Sequence, residues 1–153
     1  MALNSHGVQV GIQIVLGIVI VALAYWLYVS ITEPYKLIER QEEVTRQTRD
    51  KMGDIRAAMI RYEELNDRYV TSLDSLVEFV KNDSLYQAAG DSIFGPDFVA
   101  DSLIYSPRTG KKFVLSVNDT ANVMTYRLED PDTGDYIGTL EPDITKLNAA
   151  SWE

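Results

Sequence analysis

Residues 1–32 read MALNSHGVQVGIQIVLGIVIVALAYWLYVSIT and contain no Lys, Arg, Asp or Glu. Within them, residues 8–29 form an apolar run of 22 residues. A helix needs about 20 apolar residues to cross a bilayer core. Lipid offers no hydrogen bonds, so every backbone N–H and C=O must be satisfied inside the segment, and a helix does that. Tyr25, Trp26 and Tyr28 gather at the end of the run, where an interfacial aromatic belt belongs. The run exceeds the 7–15 residues of a signal-peptide core, and aromatic rather than small residues close it, so an uncleaved anchor is expected. Gly7 and Gly11 open the run at a spacing that lets helices pack closely in lipid.

The rest of the chain is different in kind. The whole sequence has a net charge of −9, and nearly all its charge lies after residue 32. That balance argues against nucleic acid as a partner, because phosphates demand a basic surface. Cysteine is absent, so disulfides, thiolate chemistry and Cys-based zinc sites are excluded. The single histidine, His6, lies in the anchor segment, which leaves no Ser–His–Asp arrangement for the remainder. Non-catalytic chemistry is therefore expected, with the lipid bilayer and other membrane subunits as partners and self-assembly as an option.

Three parts are expected: an anchor over 1–32, a helical stalk over 33–66 and a small head over 67–153. Thr32 is a good N-cap and Pro34 suits a first helical turn, or else kinks one continuous helix. The stretch KLIERQEEVTRQTRDK (36–51) has few apolar residues and reads as a solvated stalk. Met52, Ile55, Met59 and Tyr62 then recur at helical spacing. That stripe packs either on a partner helix, as an interface, or on the chain's own domain.

Turn formers at 66–69 end this helix. Thr71 and Asp74 have the spacing of a capping box before a second helix over 72–81, with Leu73, Leu76, Val77 and Val80 on one side. Residues 85–100, with Gly90, Gly95 and Pro96, read as a loop. The period then changes to two. LIYSP (103–107), KFVLSV (112–117), VMTYRLE (123–129) and YIGTL (136–140) read as four strands of an antiparallel meander, and 141–153 as a tail. The fold class is thus α+β.

Asp130, Asp132 and Asp135 surround a Gly-containing turn, so calcium is the metal to consider. Calcium takes six to eight oxygens, and alternate acids can converge on one ion; the same residues also simply make turns. Asp91, Asp97 and Asp101 are a looser acidic set.

Residues 54–62, DIRAAMIRY, followed by Asp67-Arg68-Tyr69 and SLDSLV (72–77), resemble the type IV pilin and type II secretion pseudopilin pattern. The similarity in element order extends over residues 8–140. It implies a structural or assembly role in a secretion or pilus-like apparatus, a bacterial inner-membrane location and a periplasmic head. In some pseudopilins a late acidic loop holds calcium, which would correspond here to Asp130, Asp132 and Asp135. The prepilin processing motif is absent: Gly7 precedes Val8, and Ile12 stands where the family carries Glu. The chain is also similar to an uncharacterised group of small bacterial single-span proteins with "SLDSLVEFVKNDSL" and "SPRTGKKF" segments. Against the periplasmic placement, Lys36, Arg40, Arg46 and Arg49 follow the anchor, and the positive-inside rule puts such a flank in the cytoplasm.

Overall fold

The structure, a computed structural model, describes residues 5–96, 98–120 and 123–153, except the side chains of residues 5, 6 and 34. Among these, the fold is α+β. Helix α1 spans Ser5–Asn66, α2 Leu73–Asn82 and α3 Ser84–Phe94. A single sheet follows, with β1 at Val114–Asn118, β2 at Thr125–Glu129 and β3 at Tyr136–Gly138. Its strands are antiparallel in the order β1-β2-β3. The chain divides into two compact units, Met1–Glu43 and Val44–Glu153.

In the first unit α1 is helical across Pro34, with no break in the backbone assignment. The apolar stretch is wholly unburied, and Tyr25, Trp26 and Tyr28 are exposed. Among the described residues this is one helix long and apolar enough to cross a membrane.

The second unit is built on the far half of α1. Met52, Ile55, Ala58 and Met59 are fully buried and belong to one core with Leu76, Leu103, Tyr126, Leu128 and Ile137. Tyr62 packs at its margin, edge-on to Phe79 at 5.0 Å. The apolar stripe is therefore spent within the chain's own domain rather than offered as an interface. Burial of such a face supplies most of a helix's stability in a protein.

Helix α2 buries Leu73, Leu76, Val77 and Val80, and its N-cap is Ser72, whose hydroxyl accepts from the Ser75 amide at 3.2 Å. Thr71, one residue earlier, does not cap. Asp83 closes α2 and also caps α3, accepting from the Leu85 and Tyr86 amides. This shared cap is why 84–94 is helix and not loop. Gly90 is buried within α3, and an added Cβ would stand in ordinary contact, 3.6 Å, from the Phe98 ring.

The meander has three strands, not four. Residues 103–107 form one bridge, Tyr105 to Lys112, before Pro107, which has no N–H to donate, leads into a turn. The expected tail is ordered against the sheet. Gly138 donates to the Ala149 carbonyl at 2.9 Å, Ser151 donates to that of Tyr136 at 2.8 Å, and Ala150 is buried. The close approach depends on Gly138, at φ 85: an added Cβ would stand 2.2 Å from the Tyr126 carbonyl oxygen.

Ile55→Ala is expected to lower the free energy of unfolding by about 2–5 kcal/mol through cavity creation. Gly138→Ala should cost about 2–3 kcal/mol through the collision and the positive φ. Urea titration of residues 44–153, followed by circular dichroism, checks both. Variants within about 0.5 kcal/mol of the parent, the usual range for surface changes, would contradict the packing described.

Candidate functional site

The three acids proposed for calcium lie in the turn between β2 and β3. Asp130 is fully buried and its Oδ2 accepts from the Thr133 hydroxyl at 2.8 Å. Asp132 accepts from Lys111 Nζ at 2.6 Å and from the Thr109 hydroxyl. Asp135 accepts from Arg49 Nε on α1 at 2.9 Å. Asp132 and Asp135 are thus already answered by cations. No group of three or more His, Cys, Asp or Glu among the described residues is placed to hold a metal ion. Calcium needs several oxygens converging on one point, and the acids of this turn are directed instead to Thr133, Lys111 and Arg49.

What faces the acids is a second copy of their own turn. Residues 106–111 read SPRTGK and residues 130–135 read DPDTGD. The two share Pro, Thr and Gly at matching places, and their backbones close alike. Ser106 N donates to Lys111 O, and Asp130 N to Asp135 O, each at 2.8 Å. Gly110 N donates to Ser106 O at 2.8 Å, and Gly134 N to Asp130 O at 3.0 Å. The glycines sit at φ 71 and φ 72, a region most side chains avoid. The charged positions are complementary: Arg108 and Lys111 in one turn, Asp132 and Asp135 in the other. The sequence signal for this was the repeated P-x-T-G, which lies in turns and is hidden by the opposite charges around it.

Helix α1 contributes cations along the head. Arg49 holds Asp135 and lies 5.1 Å from the Trp152 ring centroid. Lys51 donates to the carbonyls of Ser102 at 2.8 Å and Tyr105 at 3.3 Å. Arg56 donates to the Asn148 carbonyl at 3.0 Å and to Glu153 at 3.1 Å. Arg61 holds Asp83 at 3.1 Å. Burial pushes the Asp83 carboxyl upward, but Arg61 and the two capping amides outweigh it and leave it below its usual range. Near the start of this unit, Thr45 accepts from Arg108 at 2.8 Å and Thr48 is buried. Residues 44–51 therefore meet the head, where the sequence suggested a solvated stalk.

The other candidate residues stand apart. Gly7 and Gly11 are exposed, with open space where a side chain would extend. Asp101 pairs with Lys81 at 2.7 Å. Asp97 and the side chain of His6 lie outside the described residues. A groove of about 460 Å³ beside β3 is lined by Arg127, Tyr136, Glu141, Lys146 and Ser151 among others. Its cations are already engaged, Arg127 by Glu129 at 3.3 Å and Lys146 by Asp143 at 3.6 Å. Comparison with protein-family models, curated proteins and solved structures yields no match.

One group titrates out of its ordinary range near neutrality. The Asp54 carboxyl is pushed up to about 6, chiefly by burial and then by Asp50, against the pull of Lys51. An unfolded aspartate titrates near pH ~3.9. The folded state therefore holds this proton more tightly, and the associated stability is complete below about pH 4 and lost as pH rises through about 6. Asp54→Asn should melt at the same temperature as the parent at low pH and higher than it at neutral pH. Equal melting at both would show that Asp54 is not buried as described. Millimolar calcium is expected to leave the melting temperature unchanged; a rise abolished by Asp132→Ala with Asp135→Ala would reinstate the metal site.

Proposed function

We propose that the protein is a non-catalytic, single-pass membrane subunit that serves a structural or assembly role in a secretion or pilus-like apparatus. Its anchor lies in a bacterial inner membrane and its head faces the periplasm. The observation that supports the anchoring is the unburied apolar stretch of α1, which buries nothing within the chain. A soluble domain does not leave so long an apolar surface to water. The resemblance of residues 54–77 to the pilin and pseudopilin pattern supports the apparatus and the side.

The head suits a building role. Asp83, Asp132 and Asp135 are engaged with cations, and the groove beside β3 presents the paired charges Arg127–Glu129 and Lys146–Asp143. The flank of Lys36, Arg40, Arg46 and Arg49 favours a second reading: an accessory single-span subunit of another large membrane complex, with the head in the cytoplasm.

Replacing Val15 and Val19 by Arg should cost about 2.5–3.5 kcal/mol each on insertion scales and release the protein into the soluble fraction on carbonate extraction. Unchanged retention would contradict the anchor. Protease added to spheroplasts should digest the head if it is periplasmic and spare it under the second reading. On native gels in mild detergent the parent should run well above its 17.2 kDa chain mass; migration as a monomer would contradict the assembly role.

A further inference from the structure

We infer that the turns 106–111 and 130–135 form a charge-coded clasp, a salt-releasable contact that fastens the loop end of the sheet to α1 and opens independently of the apolar core. Neither turn contributes an apolar residue to the core; only Ser106 and Asp130 are buried in them. What joins them is polar throughout: Lys111 to Asp132 at 2.6 Å, Thr109 to Asp132, and, from α1, Arg49 to Asp135 at 2.9 Å and Thr45 to Arg108 at 2.8 Å. Through this contact the Asp132 carboxylate raises the proton affinity of Lys111, and Lys111 followed by the Thr109 hydroxyl lowers that of Asp132.

The charges balance only when the helix takes part. The acidic turn carries Asp130, Asp132 and Asp135, the basic turn carries Arg108 and Lys111, and Arg49 of α1 supplies the third cation. The clasp is therefore a three-part contact. It is also imperfectly satisfied, since the buried Arg108 Nε and Asp130 Oδ1 have no hydrogen-bond partner among the described residues. Desolvated polar atoms left unpaired lower the net worth of a charged contact. The Lys111 side chain keeps 61% of its exposure, so added salt reaches the pair. The apolar end of the head is held mainly by ring packing, with the Arg61–Asp83 pair at its edge. There Tyr62, Phe79, Tyr86, Phe94 and Phe98 follow one another at centroid spacings of 4.3–6.3 Å.

The absence of cysteine makes the test direct. Pro107 and Pro131 are exposed and take no part in the bonds above. Cysteines placed at both in the full chain, spin-labelled in zwitterionic detergent, report the separation of the two turns. The expected result is one narrow distance at low salt, and a population of separated labels that grows roughly tenfold at about 0.5 M salt or on Asp132→Lys. Lys111→Asp combined with Asp132→Lys should restore the narrow distance, while near-ultraviolet circular dichroism of the core stays unchanged throughout. The inference is overturned if the distance ignores both salt and Asp132→Lys, if the double reversal fails to restore it, or if the core signal is lost together with the clasp.

Discussion

The head depends on one buried stripe of α1. Met52, Ile55, Ala58 and Met59 lie on one face of the helix and are fully excluded from water. A three-stranded sheet with strands of five, five and three residues presents too little apolar surface to stand alone. It closes over the helix, with Tyr126, Leu128 and Ile137 from β2 and β3 in the same core. Helix α2 adds Leu73, Leu76, Val77 and Val80. Without the α1 face these surfaces would have nothing of comparable size to cover them.

Around the stripe runs a polar seam. Arg49, Lys51, Arg56 and Arg61 each reach a different segment: the β2–β3 turn, the carbonyls near residues 102–105, the C-terminal arm and the α2–α3 cap. Isolated surface ion pairs contribute little, so these contacts select the arrangement more than they stabilise it. Three of the head's acids, Asp83, Asp135 and Glu153, are matched by cations carried on α1.

The sequence carried the outline and lost the junctions. The long apolar helix was legible because an uncharged, predominantly apolar run over residues 8–29 is a physical signal on its own. The stripe at 52, 55, 59 and 62 was legible by its period, and amphipathic helices usually bury such a face at home, but period alone does not say what covers it. Residues 85–100 read as a loop because their Gly and Pro outweigh a weak helical pattern, and a cap shared by two helices, as Asp83 is, leaves no separate mark. The strand expected at 103–107 failed because alternation there is short and Pro107 ends it. The acidic turn read as a metal loop because its answering cations, Lys111 and Arg49, are remote in sequence. Residues 141–153 read as a tail because they lack a strand or helix period, while their partners, the backbone of β3 and the side chains of Tyr126 and Arg56, are remote in sequence.

The account turns on whether the head can exist without the α1 face. The direct measurement compares thermal unfolding of residues 44–153 with that of residues 67–153, each followed by near-ultraviolet circular dichroism. The longer piece should unfold in one cooperative transition, and the shorter should show none, because its core lacks Met52, Ile55, Ala58 and Met59. A cooperative transition in residues 67–153 alone would contradict the central claim and make the helix an accessory to a self-sufficient head.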